Sequence, residues 1–502
     1  MDHSPKYLGM RGARLKVAMV LLVVAPSFLL FGYNNGSTGG ILTLESFVHQ
    51  FPKLDTVNTK GSVKAHNSLV KGAVTAAYDL GAVFGSLSCI MYSDKIGRIR
   101  TILAGLILAI IALAIESSAY TVAQFTIGRV LVGWAIGTIS ASVPVWQTEC
   151  STTKHRGAFV ILEGLCISAG ITTSEWVTYA FTFAFSSSAE WRVPLVLPVV
   201  FALFVMPFLF FMPESPRWLC QGRLEEARRT LAALADEDLY SLDVSAEMDR
   251  IQLSLESSRG SLKLLLTNGK ERYLHRTILA MTDLGFKANK SRILSCTLVT
   301  AQTCCSLIPL FTVDRFGRRK LLMFSAAGLA VCMAVMAGTG GSSTTASAAV
   351  VFIYLYDFFY PIGFLGLTFL YATEIAPIRM RVPITAIANA TQWLCQFVVG
   401  QISPPGTTNL SNRYWIIFAV LNVSFVPIVF FFFPETNGRS LEEIDHIFEN
   451  SHVFNVVSTA RKLPYQTNQD LEDMLHDKAG QEQPKHVEDT DTDKEGGKMS
   501  KA

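Results

Sequence analysis

Eleven long apolar segments constrain this chain more than any other feature of its sequence. Each holds roughly 20 mostly apolar residues, the length that an α-helix needs to cross a hydrocarbon core about 30 Å thick. Inside lipid only helices or closed barrels satisfy the backbone, and these segments show no alternation of apolar and polar residues. The sequence therefore predicts an all-α, multi-pass membrane protein. Its expected spans are residues 17–42, 71–92, 101–119, 122–148, 158–183, 192–212, 291–313, 321–340, 349–372, 382–403 and 414–433.

Composition and charge agree with a membrane protein and argue against other classes. Apolar residues make up 50% of the 502 residues and charged residues 17%, whereas an average soluble protein has about 25% charged residues. The net charge of +3 gives no indication of nucleic acid binding. The nine cysteines lie in or beside apolar stretches and are interpreted as small apolar residues. The sequence shows no nucleotide loop, metal cluster or nucleophile–base pair, so we expect neither a cofactor nor enzyme activity.

Polar segments divide the chain into five regions. The basic N-terminal tail favours the cytoplasmic side, because Lys and Arg accumulate there. Two groups of spans follow, separated by a charged central loop with short helices. The C-terminal tail is polar and has too few apolar residues to fold, so we expect most of it to be disordered. These regions are residues 1–16, 17–212, 213–276, 277–433 and 434–502.

Three motifs occur twice, in the same order and at nearly constant spacing. Offsets of 220, 225 and 221 residues separate the two copies of each motif. This pattern indicates an internal duplication into two parallel bundles joined by a long loop, an arrangement typical of one large class of transporters. The motif pairs are Asp94–Arg100 with Asp314–Lys320, Glu149 and Arg156 with Glu374 and Arg381, and Pro213-Glu214-Ser215 with Pro434-Glu435-Thr436.

The second half lacks one span. The sequence therefore contains eleven apolar segments long enough to span a membrane, whereas two equal halves would have twelve. Two spans occupy the 77 residues before Asp94, whereas one span occupies the 38 residues before Asp314. The deficit lies between Thr277 and Arg292. If eleven spans simply alternate, the basic cluster Asp314–Lys320 falls on the outer side, against the positive-inside rule. Three explanations stay open: an incomplete gene model, an abnormal insertion, or a compensation elsewhere in the fold.

Charged residues at the ends of spans predict conformational latches. Gly97 and Gly317 are expected to permit sharp turns, and the acids before them to pair with basic partners across the bundle. Such a pair closes in one conformer and breaks in the other. The alternative is simple anchoring by arginines on the cytoplasmic side. The expected gating residues are Asp94, Arg98, Arg129, Glu149, Arg156, Glu214, Asp314, Arg318, Glu374, Arg381 and Glu435.

Ionisable residues inside spans are functional candidates, because burying charge in lipid is costly. Arg129 is expected either to form an ion pair inside the bundle or to take part in gating. Asp79 and Glu163 could bind substrate hydroxyl groups or carry a proton. Glu116, at the end of a span, is expected to be solvated.

These motifs resemble the sugar porter family of the major facilitator superfamily, and Glu163-Gly164 with the Phe-rich last span resembles its fungal members. The resemblance covers about residues 17–445. It implies the two-bundle fold, alternating access, a sugar site at the midplane between the bundles and often coupling to protons. The motifs that carry it are Asp94-x-x-Gly97-Arg98, Gly128-Arg129, residues 144–149 (PVWQTE), 154–157 (KHRG), 213–219 (PESPRWL), 314–319 (DRFGRR) and 434–439 (PETNGR).

The resemblance also implies individual site residues. Asn34 takes the place of an Asp that proton-coupled relatives usually carry, so simple symport through that position is doubtful. Gly164 takes the place of a sugar-binding Gln, with Glu163 beside it. The family's seventh span carries two glutamines, a Gly-Ile-Asn and paired tyrosines, and none of these is present here. The implied sugar-binding residues are Asn34, Glu163, Phe364, Gln392 and Trp393, and the proton candidates are Asp79 and Glu163.

Two functions follow from this sequence. The first is a carbohydrate transporter of the plasma membrane, with a hexose or disaccharide as substrate, the bilayer as its environment and protons as a coupling partner. The second is a non-transporting relative, either a sugar sensor or an inactive isoform. Sensors in the family usually have long regulatory tails. The tail here has moderate length, which favours transport.

Overall fold

Helices account for all of the membrane part of this computed structural model. The structure describes residues 6–151, 156–184, 187–257, 292–339, 343–377, 380–410, 413–439, 441–449, 451 and 455–462. Eleven helices in these ranges are long and apolar enough to span a membrane, which confirms the predicted spans. They are α1 (Gly12–Ile41), α2 (Gly61–Ile96), α3 (Arg98–Ser117), α4 (Val122–Cys150), α5 (Val160–Phe183), α6 (Ala189–Leu209), α7 (Cys296–Phe316), α8 (Arg318–Gly338), α9 (Val350–Ile375), α10 (Arg381–Ser403) and α11 (Tyr414–Phe432).

Glycines bring the helices of the first bundle into backbone contact. A Cβ atom at Gly81 or Gly133 would collide with the backbone oxygen of Val130 or Tyr78 on the facing helix. The same holds between α1 and α5, where a Cβ at Gly32 would collide with the backbone oxygen of Ile167. Membrane helices associate largely through such close packing, since lipid provides no hydrophobic drive between them.

Substitution of one packing glycine tests this contact. We expect Gly133→Ala to destabilise the protein by about 1–3 kcal/mol or more, because the backbone of α2 has to move away. Gly338→Ala is the matched control, since a Cβ there would meet nothing within 4 Å. Thermal unfolding of both variants in detergent measures the difference. Equal stability of Gly133→Ala and the control would show that α2 and α4 are not held at this distance.

Helix directions place both basic motif clusters at one end of the bundle. Cys89 of α2 packs with Ala386 of α10, and Ala76, farther from the motif, lies near Gly400. These two helices are therefore antiparallel, and α10 begins at the end where α2 finishes. We call this end, with Arg98 and Arg318, the inner end and the opposite end the outer end.

The expected outer position of Asp314–Lys320 is therefore wrong. Helix α7 runs antiparallel to α5, because Thr303 bonds Ser168 and Thr300 bonds Trp176. It thus starts at the outer end and finishes at the inner end, where Arg318 begins α8. Residues 258–291, which precede α7, lie outside the described residues. The proposed deficit at Thr277–Arg292 lies almost entirely outside the described residues, as does the tail after 462.

Helix α9 is discontinuous beside the first bundle. A π-helical turn, Pro361–Leu365, leads into a break at Gly366, after which the helix resumes as Leu367–Ile375. Gly366 packs directly on Gly164 of α5. Broken membrane helices occur where backbone lines a site or contacts protein, because free backbone groups in lipid are costly. The break therefore marks the interface between the bundles.

Short helices cover the inner end. The polar central segment forms helices Pro216–Leu219, Leu224–Ala235 and Leu242–Ser257, and Leu441–Glu449 follows the last span. The N-terminal residues reach this layer, where Tyr7 bonds Thr230 and Arg11 pairs with Asp236 at 3.2 Å. Three short helices thus lie in the described part of the central segment.

Candidate functional site

A buried arginine organises the inner end of the first bundle. The Arg98 side chain donates from Nε to Glu149 at 3.1 Å and from Nη1 to Asp94 at 2.7 Å. Ser215 donates to the same Glu149 carboxylate at 2.6 Å. Asp94 was expected to reach a partner across the bundle, but its partner is four residues away and the cross-bundle acid is Glu149. Glu149 is the buried member, whereas the Asp94 side chain is 41% exposed.

The second bundle repeats this network residue by residue. Arg318 donates to Glu374 at 2.9 Å and to Asp314 at 3.1 Å. Thr436 donates to Glu374 at 2.6 Å, in the role that Ser215 plays in the first bundle. Asn437 adds a contact with no described counterpart in the first network, since it accepts a bond from Arg318 at 2.6 Å. The duplicated sequence motifs therefore encode a duplicated three-dimensional network.

Glu214 and Glu435 occupy the N-terminal ends of α3 and α8. Glu214 accepts bonds from the backbone N–H groups of Arg98 and Ile99, at 3.1 and 3.2 Å. Glu435 accepts from the N–H groups of Arg318 and Arg319, at 2.8 and 3.2 Å. Both acids thus neutralise unpaired N–H groups and the positive end of a helix dipole. Burial raises the pKa of Glu214 above its ordinary value, and the N–H groups of Ser215, Ile99 and Arg98 oppose that shift.

The two turn glycines are needed for these caps. Gly97 has φ = +98° and Gly317 has φ = +85°, a region that favours glycine. A Cβ at either position would also press on the capping carboxylate, at 2.6 Å from Glu214 Oε2 in the case of Gly97. The motif glycine is thus required by both the turn and the carboxylate behind it.

The pairs of Glu149 with Arg156 and of Glu374 with Arg381, expected as second latches of the same kind, stay predictions. The ion pairs that the structure shows for these acids run to Arg98 and Arg318. The side chain of Arg156 lies outside the described residues. Arg381 is fully buried at the start of α10, at the inner end.

Substitutions within the first network should separate its buried and exposed acids. We expect Glu149→Gln to destabilise the protein by about 3–5 kcal/mol, since it leaves Arg98 buried without its main counter-charge. Asp94→Asn should cost less than about 1 kcal/mol, because an exposed ion pair contributes little. Thermal unfolding of the two variants gives the ranking, and Glu374→Gln against Asp314→Asn repeats the comparison. A larger effect of Asp94→Asn would contradict the structural assignment.

Aromatic side chains from both bundles meet near the middle of the membrane part. The Trp393 ring of α10 lies 5.2 Å from Phe31 of α1 and 5.5 Å from Tyr78 of α2. Phe369 of α9 lies 6.3 Å from Phe28 of α1. Trp393 is almost fully buried, yet its Nε1–H has no hydrogen-bond partner in the part of the chain that the structure describes. A buried donor of this kind requires an explanation.

A narrow cavity lies beside Phe369 of this cluster, between α4, α9 and α10. Asn389 crosses it by donating to the Ser140 carbonyl at 2.8 Å. Gln392, a predicted sugar-binding residue, lines the cavity beside Phe369. The remaining polar lining consists of hydroxyl groups, on Ser140, Thr368, Thr373 and Thr385. Amide and hydroxyl groups next to stacking rings can bind the hydroxyl groups and the apolar faces of a sugar.

Glu163 is fully buried on α5, and neither carboxylate oxygen has a hydrogen-bond partner among the described residues. It lies one turn before Ile167, which packs on Gly32 of α1, so helical periodicity turns Glu163 towards α1. The neighbouring Gly164 packs on Gly366 of the second bundle. Asp79 is half-buried beside Gly400, at the contact of α2 and α10. Both predicted proton candidates therefore lie near the contact of the two bundles.

Gln392 lines the described cavity, whereas the predicted sugar-binding residues Asn34, Glu163, Phe364 and Trp393 are not in its lining. Asn34 donates to the Leu30 carbonyl of its own helix at 2.8 Å. Phe364 packs within the second bundle, 6.1 Å from the Phe425 ring. Their roles stay predictions, and the aromatic cluster with Gln392 is the better-supported part of the predicted site.

The expectation that Glu116 is solvated is wrong. Glu116 is fully buried and lies 3.6 Å from Arg129. Arg129 thus forms an ion pair inside the bundle, which is the first of the two roles expected for it from the sequence. The sequence contained the signal, because a buried arginine needs a counter-charge and Glu116 is the acid at the end of the preceding span. Ser168, Thr172 and Thr303 are not indicated by any sequence motif, yet their hydroxyl groups join the two bundles.

The fold and its duplicated networks define a secondary transporter of the major facilitator type. The chain belongs to the sugar (and other) transporter family, whose profile matches residues 19–286 and 280–448. The two matched segments meet inside the interval where the sequence places its deficit. This family assignment confirms the predicted resemblance.

Individual relatives and solved structures agree with this assignment. The sugar transporter STL1 of Saccharomyces cerevisiae is 31% identical over 500 residues, covering 93% of this chain and 87% of the relative. The MFS-type transporter oryC of Aspergillus oryzae is 30% identical over 482 residues, covering 89% and 87%. The proton:xylose symporter XylE of E. coli, bound to 6-bromo-6-deoxy-D-glucose, matches with a TM-score of 0.76 at 22% identity, over 87% of this chain and 100% of that one. The last likeness confirms the two-bundle fold.

Proposed function

We propose that this protein is a carbohydrate transporter of the plasma membrane that works by alternating access, with a hexose or disaccharide as substrate. The observation that carries the proposal is the aromatic cluster between the bundles, with the unpartnered Trp393 Nε1–H and the Gln392 amide beside it. A ring and two amides in the cavity lining, with further rings packed nearby, match the apolar faces and hydroxyl edges of a sugar. The name of STL1 as a sugar transporter supports the same substrate class.

The inner networks supply the conformational step. In each bundle they join the helix ends that meet at the inner end, through Arg98 in the first and Arg318 in the second. Opening this end exchanges desolvated charge pairs for hydrated charges, so the closed and open states are separate minima. A sugar that binds between the bundles shifts the equilibrium only as far as its affinities for the two states differ.

Glu163 is the residue we assign to proton coupling. A carboxyl group without a partner in the described part of the fold favours the protonated form, because burial disfavours a charge. Movement of the bundles around the Gly164–Gly366 contact would change its access to water. Asp79 is the second candidate, because it lies at the other contact between the bundles, near Gly400.

Uptake measurements with and without a proton gradient test this assignment. We expect Glu163→Gln to remove the dependence of uptake on the gradient, because Gln cannot release a proton. Glu175→Gln, in the same helix, is the matched control and should keep it. If the dependence survives in both Glu163→Gln and Asp79→Asn, neither residue carries the proton.

Restoring the absent span tests the proposed function itself. We expect weak sugar uptake from the 502-residue chain, because the family's seventh span carries several sugar-binding amides and tyrosines, each bond being worth about 0.5–1.5 kcal/mol. A version with the seventh span of a relative inserted after Thr282 should transport sugar much faster. Both are expressed in cells without their own sugar uptake. Robust uptake by the unmodified chain would show that the absent span is dispensable, whereas no uptake by a correctly inserted restored chain would contradict the transport function.

A further inference from the structure

A second buried ion pair lies in the first bundle, away from the inner networks. Glu116, in the last turn of α3, and Arg129, in the second turn of α4, are 3.6 Å apart, with side chains 1% and 4% exposed. The close approach depends on Gly128, where a Cβ would lie 2.8 Å from the Glu116 backbone. Burying two charges is costly, so a pair at this position requires a reason.

Arg129 does more than neutralise Glu116. Its guanidinium carbon lies 4.6 Å from the centre of the Tyr78 ring. A cation over a ring face attracts the ring and fixes its orientation. The other basic side chain nearby, Arg192, is bound elsewhere, since it donates to the carbonyls of Ser117 and Ala119.

Tyr78 connects this pair to the other bundle. Its ring contacts Trp393 edge to face, with centres 5.5 Å apart and planes at 85°. Trp393 in turn packs on Phe31. The contacts thus form a continuous series from Glu116 through Arg129 and Tyr78 to the indole of Trp393.

We propose that Glu116 and Arg129 are positioning residues for Trp393, acting through the Tyr78 ring, and thereby determine how tightly a sugar binds. The effect on sugar rests on the function proposed above, whereas the effect on Trp393 does not. In this arrangement the guanidinium holds the tyrosine ring, and the ring edge holds the indole plane. Glu116 keeps Arg129 in place, so loss of the carboxylate loosens an indole in the partner bundle without touching it.

The first experiment follows the indole and needs no sugar. The emission of Trp393 is obtained in the purified 502-residue chain as the difference between each protein and its Trp393→Phe counterpart. We expect Glu116→Gln and Arg129→Gln to shift this emission to longer wavelength, as the indole becomes less tightly packed. Asp236→Asn, which removes the Arg11 ion pair at the inner end, is the matched control and should leave it unchanged.

A double substitution separates positioning from general loss of structure. Tyr78→Leu removes the ring between the ion pair and Trp393 while leaving both charges in place. In the Tyr78→Leu background, Glu116→Gln should produce no further shift, because the connection is already broken. An equal shift in both backgrounds, or no shift from Glu116→Gln in the natural one, would overturn the proposal.

The second experiment measures sugar affinity in the same proteins, with D-glucose as the probe. We expect Glu116→Gln to weaken binding about fivefold or more, Glu116→Asp to weaken it less, and Asp236→Asn to leave it unchanged. Unchanged affinity in Glu116→Gln, with measurable binding to the natural protein, would refute the effect on sugar. If the chain with a relative's seventh span inserted after Thr282 also binds none of several hexoses and disaccharides but the emission shifts occur, the sugar function fails and the positioning of Trp393 stands.

Discussion

The rest of the inner end depends on one interaction, the pairing of a buried guanidinium with a buried carboxylate, which occurs once in each bundle. Arg98 and Arg318 each hold two acids, one exposed and one desolvated. Neither arginine could be buried alone, because an unpaired charge in this environment would cost several kcal/mol. The surrounding elements follow from this requirement. The glycine turns, the capping glutamates and the Ser215 and Thr436 hydroxyl groups all position or satisfy groups around the pair.

In the middle of the protein, by contrast, some buried polar groups have no hydrogen-bond partner in the described part of the fold. At the inner end Arg98 and Arg318 have carboxylate partners, whereas Trp393 Nε1 and the Glu163 oxygens have no hydrogen-bond partner among the described residues. A stable core does not normally leave such groups unsatisfied. They lie between two bundles whose backbones touch at Gly164 and Gly366. This combination of a satisfied end and an unsatisfied centre is what a transporter needs, since the end must hold and the centre must bind.

The sequence was sufficient for the spans and the duplication, because both depend on patterns along the chain. Hydropathy located all eleven helices, with ends displaced by up to about ten residues, as for α2, which begins at Gly61. The motif offsets correctly paired Arg98 with Arg318 as equivalent residues. The partners of these residues were harder to predict. Glu149 lies seven residues from Arg156 in sequence, but it pairs with Arg98, 51 residues away, because the helix packing brings α3 and α4 together. Tertiary contacts of this kind have no local periodicity to reveal them.

The sequence deficit affects the inner charge network and the central cavity differently. The helices that build the second inner network, α7 to α11, are all present, and Arg318, Glu374 and Thr436 form the same contacts as their counterparts. These contacts therefore do not require the family's seventh span. The central cavity differs, because the described part of its lining comes from α4, α9 and α10, whereas the amides and tyrosines that the family's seventh span supplies are missing from the sequence. Helices α4 and α9 contribute to both places, since they carry Glu149 and Glu374. The described inner networks are thus complete in this sequence, whereas the residues of the family's seventh span are absent from it.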